Sequence, residues 1–182
     1  EGIRIGTESS VQLLLRVLDN TIIGSGSHGI FVATSGAEGV VVQDNTLEDV
    51  GFRDGQPEGG GILVHNTTGV QVIDNTITNA ATDGIFFYAG TGLFGDPSVA
   101  EGNTVTGAGI GLKGVSGTVI ERNVVDGSPS AGISIGAAAT NSRVINNVIK
   151  NTTQVGISVG NEAAFTNWIF GNNISGTVNP VP

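Results

Sequence analysis

No cysteine occurs in the sequence, so whatever holds the chain together is not a disulfide framework. That absence suits an extracellular and a cytosolic setting equally and assigns no compartment. Positive charge is scarce. Arg4, Arg16, Arg53, Lys113, Arg122, Arg143 and Lys150 are the only Lys and Arg residues, they are scattered, and the formal net charge is −9. Phosphate backbones and anionic membrane surfaces are held by clustered cations, so neither nucleic acid nor an acidic membrane is an expected partner. No apolar run approaches the roughly 18 residues of a membrane-spanning helix, so no membrane span and no signal peptide is expected. The first residue is Glu rather than Met, which reads as a processed or excised piece.

What the chain does have is glycine, 30 residues of it, and much of it is periodic. Gly-Ile opens a segment at Gly2, Gly29, Gly61, Gly84, Gly109, Gly132 and Gly156, with separations of 27, 32, 23, 25, 23 and 24. A second landmark recurs inside each segment, an Asn with apolar residues three before and two after it: Asn20, Asn45, Asn75, Asn103, Asn123, Asn147 and Asn172. The intervening stretches alternate apolar and polar residues and are bounded by Gly, Asn, Asp and Ser, the pattern of strands too short and too closely spaced for strand–helix–strand units. Three short strands per repeat wind the chain into a solenoid of about seven coils, each strand pairing in parallel with its equivalent one coil away at about 4.8 Å. The expected length is roughly 34 Å.

The inward positions are then aliphatic stacks. One runs Ile3, Ile30, Ile62, Ile85, Ile110, Ile133, Ile157, and the next Ile5, Val32, Val64, Phe87, Leu112, Ile135, Val159. The recurring asparagines read as structural. Asn tolerates the left-handed backbone of a tight turn, and stacked side-chain amides can bond to one another along the axis.

The segments "GILVHNTTGVQVIDNTITNAATDGIFFY" and "GISIGAAATNSRVINNVIKNTTQVGISVG" carry a resemblance to the right-handed parallel β-helix proteins of the pectate-lyase-like superfamily. It extends over residues 2 to 175 and implies an all-β fold, a right-handed single-stranded parallel β-helix with an Asn ladder. Residues 1–182 are expected to form one such domain, excised from or stacked on further coils. Many members of that superfamily bind or cleave acidic polysaccharides, and others are adhesins or structural modules, so fold alone assigns no activity. The epimerase signature Tyr-Gly-Phe-Asp-Pro-His is not reproduced, because the nearest stretch, "YAGTGLFGDP", has no His after the Pro.

Candidate site residues follow from strand geometry, since alternate side chains face outward. On the first strand of each coil one outward column reads Arg4, Phe31, Leu63, Phe86, Gly111, Ser134, Ser158, and the next reads Gly6, Ala33, His65, Tyr88, Lys113, Gly136, Gly160. A third, just before the Gly, reads Glu1, His28, Gly60, Asp83, Ala108, Ala131, Val155. Aromatic and titratable groups gather on the second to fifth coils. Two insertions border them, Phe52 to Glu58 and "GTGLFGDP", and long loops on rigid repeats often carry binding groups. The alternative is an ordinary exposed sheet with drifted insertions.

On these columns His65, Tyr88, Lys113 and Asp83 are the expected catalytic groups, and Arg53, Asp54, Glu58, Phe31, Leu63 and Phe86 the substrate-binding ones. The resemblance implies an acidic polysaccharide as partner, an extracellular or cell-surface location, and lyase or epimerase chemistry where the chain is catalytic. Lys113 or His65 would then abstract the proton, Tyr88 would protonate the glycosidic oxygen, and Arg53 or a bound cation such as Ca²⁺ would stabilise the enolate. Hydrolysis by a carboxylate pair from Asp54, Glu58, Asp83 and Asp96 is a weaker option. Asp19, Asp44 and Asp74 either cap their own turns or hold a cation. A non-enzymatic structural or adhesive module, associating end to end, laterally or with adjacent domains, is the competing expectation.

Overall fold

A computed structural model of the chain describes residues 1–7, 14–34, 39–54, 56–88, 97–137, 139–160 and 166–176. Each coil contributes three short strands, as in the third, which uses Ile62–His65, Gln71–Ile73 and Thr76–Ala80. Equivalent strands pair in parallel, building three seven-stranded sheets that run the length of a β-solenoid. The first-strand sheet consists of Ile3–Thr7, Ile30–Thr34, Ile62–His65, Asp83–Tyr88, Ile110–Gly114, Ala131–Ile135 and Val155–Val159.

Burial follows the expected alternation. In Ile30–Thr34 the first, third and fifth residues are buried and the two between are half-buried. Val42, Val72, Ala100, Ile120 and Val144 fill the core from the second-strand sheet, and Leu47, Ile77, Val105, Val125 and Ile149 from the third, all at 0 % exposure. The apolar residues flanking each Asn from Asn20 to Asn147 are thus the core, and only those of Asn172, Ile169 and Ile174, are exposed.

The asparagines form an unbroken ladder. Asn20, Asn45, Asn75, Asn103, Asn123 and Asn147 each donate from Nδ2 to Oδ1 of the next, at 2.9 to 3.0 Å, ending on Asn172. They do not themselves take the left-handed geometry expected of them. The residue before each does: Asp19, Asp44, Asp74, Gly102, Arg122, Asn146 and Gly171 all have φ between 52° and 70°. Asp19, Asp44 and Asp74 therefore sit where a short polar side chain tolerates the turn. Among the described residues no group of three His, Asp or Glu side chains is arranged to hold a metal ion.

Register departs from the expected alignment at the fifth coil. Leu112, not Ile110, pairs with Ile85 on one side and Ile133 on the other. Gly111, not Gly109, therefore holds in the fifth coil the place that Gly84 and Gly132 hold in its neighbours. Its backbone leaves no room for a side chain, since a Cβ there would lie 2.3 Å from Val125 Cγ1 and 2.5 Å from the Gly132 carbonyl oxygen. The shift moves Lys113 beside Phe86 and out of the Tyr88 column. It also brings Gly114 opposite Ile135, in the stack that holds Phe87, the largest fully buried side chain.

The first insertion folds as a small antiparallel hairpin, Phe52 pairing with Pro57 and Arg53 with Gln56. Asp54 occupies its turn with φ 50°. Glu58 and Gly59 both donate backbone N–H groups to the Gly51 carbonyl, which returns the chain to the solenoid. The second insertion, including Asp96, lies outside the described residues apart from Pro97.

Ser128 and Thr152 are fully buried, and their hydroxyls have no hydrogen-bond partner among the described residues. An orphaned buried hydroxyl costs about 1–3 kcal/mol of desolvation. Ser128→Ala is therefore expected to raise thermal stability by a few degrees, read by a calorimetric melt.

Candidate functional site

A groove of about 410 Å³ opens on the first-strand sheet, where the second to fourth coils meet the hairpin. Its apolar wall is Ile62, Leu63 and Phe86, and its polar groups are His28, Glu58, His65, Thr82, Asp83 and Tyr88. The floor is backbone. Gly59 and Gly60 line it because no side chain fits there: a Cβ on Gly60 would stand 2.3 Å from the Asp83 carbonyl oxygen, and one on Gly59 2.6 Å from the Ser27 carbonyl carbon. In the column His28, Gly60, Asp83 the glycine lets the coils approach closely, and the imidazole and the carboxyl group two coils apart both line the groove.

Those two groups are both held toward neutrality. Gly60 donates its N–H to His28 Nδ1 at 3.0 Å, which fixes the tautomer with hydrogen on Nε2 and is lost when Nδ1 is protonated. Burial lowers the His28 pKa, and Glu1 partly offsets this. Burial likewise pushes the Asp83 carboxyl up from the usual range, while Lys113 pulls it back. Groups shifted toward their neutral forms by burial are the kind that acid–base chemistry draws on.

Aromatic rings tie the coils together across the groove. His65 and Tyr88 occupy the same outward position on adjacent coils and stack at 5.1 Å between centroids. Phe86 meets Tyr88 edge-on at 5.4 Å, and Phe31 lies against His28 at 5.9 Å and His65 at 6.3 Å. Two cations cover rings in the adjoining column: the Arg4 guanidinium lies 5.3 Å from the Phe31 centroid and Lys113 Nζ 4.3 Å from that of Phe86.

Of the residues expected from sequence, the structure gathers His65, Tyr88, Asp83, Glu58, Leu63 and Phe86 around one groove. It places the others beside it. Lys113 stands in the column of Phe31, Leu63 and Phe86, because the fifth coil is shifted. Arg53 is on the exposed hairpin and pairs with Glu58 at 3.3 Å. Asp54 is the hairpin turn, and Phe31 flanks the groove through its ring contacts. His28 and Thr82 join the lining without having been expected there. The only signal for His28 was its place in the column of Asp83.

A second depression of about 360 Å³, lined by Thr82, Asp83, Gly109, Pro129 and Ser130, adjoins the first through Thr82 and Asp83. Asp83 thus borders open surface on both sides along the axis. The whole is a concavity whose apolar wall is rimmed by convergent polar groups, the general character of a small-molecule or chain-binding site.

No curated protein and no solved structure matches the chain. A family model described as a right handed beta helix region matches residues 1–179, in agreement with the parallel solenoid and its Asn ladder, and the chain belongs to that right-handed β-helix family.

Proposed function

We propose that the first-strand sheet is a carbohydrate-binding surface, acting outside the cell, that holds an extended polysaccharide along the coil axis. The observation that carries this reading is the groove itself. Its apolar wall of Ile62, Leu63 and Phe86 and its stacked His65–Tyr88 pair lie next to His28, Glu58, Thr82 and Asp83. Sugar rings offer apolar C–H faces and hydroxyl edges, which match an aromatic wall and a rim of hydrogen-bonding groups. From the second to the fourth coil the groove spans roughly 10 Å, about two sugar units.

Binding is better supported than β-elimination. Elimination needs a cation at the uronate carboxylate; neither Arg53 nor Lys113 lines the groove, and among the described residues no three acidic or imidazole side chains are grouped to hold a bound one. Asp83 and Glu58 do line it together, which favours acid–base hydrolysis over elimination as the catalytic form of this reading. A second reading, a structural module that packs against further coils or copies, rests on core-stack residues Ile169 and Ile174, which are exposed on the last rung.

The test is affinity electrophoresis and calorimetry against neutral, acidic and amino polysaccharides, with ultraviolet absorbance reporting unsaturated products. Tyr88→Ala and Phe86→Ala are each expected to weaken binding roughly twofold to tenfold, the range for one aromatic contact of about 0.5–1.5 kcal/mol. Both side chains face outward, so the fold is expected to survive. Failure to bind any polymer in the panel leaves the structural module as the reading that stands.

A further inference from the structure

We infer that the groove between His28 and Tyr88 selects an amine-bearing sugar chain, of the deacetylated amino-sugar class, over a uronate chain. This rests on the carbohydrate-binding reading and names the ligand chemistry of the same groove. Among the described residues the groups lining the groove that can carry full negative charge are Glu58 and Asp83, and no Lys or Arg lines it. The two nearby cations stand outside the groove: Arg53 pairs with Glu58 at 3.3 Å from the exposed hairpin, a solvent-open contact that holds Glu58 only weakly, and Lys113 lies over the Phe86 ring.

His28 adds no positive charge while its Nδ1 accepts the Gly60 N–H. A uronate carboxylate entering here would meet two acids and no Lys or Arg in the lining. An ammonium would meet two acceptors and the rings of Phe86 and Tyr88.

Lys113 shows how this surface receives an ammonium. Its Nζ sits 4.3 Å from the Phe86 centroid, a cation–π arrangement, and its charge draws the Asp83 carboxyl toward the ionised form. A protonated sugar amine on the groove side of Phe86 would act on Asp83 in the same direction. The formal charge of −9 adds a long-range attraction for a polycation and repulsion for a polyuronate.

The experiment compares a fully deacetylated chito-oligosaccharide, its N-acetylated counterpart of equal length and an oligogalacturonate, by calorimetry near neutral pH, where Asp83, its pKa raised by burial, is better able to carry its charge than in acid. The deacetylated oligomer is expected to bind at least tenfold more tightly than either. Asp83→Asn and Glu58→Gln should each lower that affinity about tenfold, the scale of one charge-assisted hydrogen bond. Glu48→Gln removes the same charge from the exposed third-strand sheet and should change affinity less than twofold.

Equal or tighter binding of the N-acetylated oligomer or the oligogalacturonate overturns amine selection and leaves the carbohydrate reading intact. A preference that survives both groove substitutions, or that Glu48→Gln weakens as much, is non-specific attraction to an acidic protein and also overturns it. If no oligomer binds to protein whose circular dichroism is that of an intact β-solenoid, the carbohydrate reading and the inference fail together.

Discussion

Replacing Ile133 by Asp is expected to leave the chain unfolded at room temperature. Ile133 has no exposed surface and lies in the inward stack between Leu112 and Ile157. A carboxylate there has no partner, and the effective penalty for a buried unpaired charge is several kcal/mol, to which the lost apolar contacts add about 2–5 kcal/mol. A natural domain has only about 5–15 kcal/mol in hand. In a solenoid each coil is held by its neighbours, so the damage spreads along the axis. Ser134→Asp, one residue along the same strand and half-buried on the outer side, is the control and should melt like the parent. Thermal melts followed by circular dichroism decide the matter: two variants that melt alike would mean that the alternation of inward and outward positions has been misassigned.

That alternation was legible because a parallel solenoid repeats every requirement once per coil. Ile30, Ile62 and Ile85 each face the same inward site, and the sequence returns an isoleucine to it each time. The fifth coil is where the pattern becomes ambiguous. Residues 108–114 read "AGIGLKG", in which Gly109-Ile110 and Gly111-Leu112 both satisfy the local rule. A slide of two residues keeps every side chain on its own face, so alternation cannot choose between the registers. Three-dimensional fit seats Gly111 against the Gly132 carbonyl and Gly109 against the Thr82 carbonyl, so both glycines are needed where they fall. Sequence spacing also located the turns but attached the left-handed backbone to the wrong residue. The ladder Asn is held by its amide bonds, and the strain falls on the residue before it, which tolerates even Arg122, anchored by Glu101 and by Glu121 at 2.9 Å.

The site was legible where it depends on register alone. His65 and Tyr88 fall in one column by counting, and they stack in the structure. Lys113 was placed in that column by the same counting and leaves it with the fifth-coil slide. His28 was invisible as a site residue for another reason. Its place depends on Gly60 one coil away, whose N–H bonds its Nδ1 and whose missing side chain lets the Asp83 backbone approach, and a one-dimensional reading weighs what residues carry, not what they omit. The hairpin was foreseen as an insertion, but its folding back to aim Glu58 at the groove depends on the Gly51 carbonyl accepting two N–H groups.

Asn123→Ala is expected to cost far more than Asn20→Ala, although both remove one rung of the same ladder. Asn123 is fully buried. Its Oδ1 accepts the backbone N–H and the Nδ2 of Asn103, both at 2.9 Å, and its own Nδ2 donates to Ala100, Glu121 and Asn147. Alanine leaves the buried Asn103 backbone N–H without this acceptor, the Ala100 carbonyl without this donor, and the Asn103 amide with only its bond to Val72; at about 1–3 kcal/mol for each of the first two groups and less for the third, the total is roughly 3–6 kcal/mol. For a chain of this length that is a fall of about 10 °C or more in Tm. Asn20 is half-exposed on the first rung, where water can replace what its amide gave to Leu18 and Asn45, and about 1 kcal/mol is the expected loss. Asn123→Asp sharpens the test, because a carboxylate can still accept from Asn103 but cannot donate, and it would face the Ala100 and Glu121 carbonyls with a buried charge. It should therefore be at least as damaging as Ala near neutral pH. Equal losses from Asn123→Ala and Asn20→Ala would show that burial of the amide is not what gives the ladder its stability, and that the aliphatic stacks on either side of it carry the coil alone.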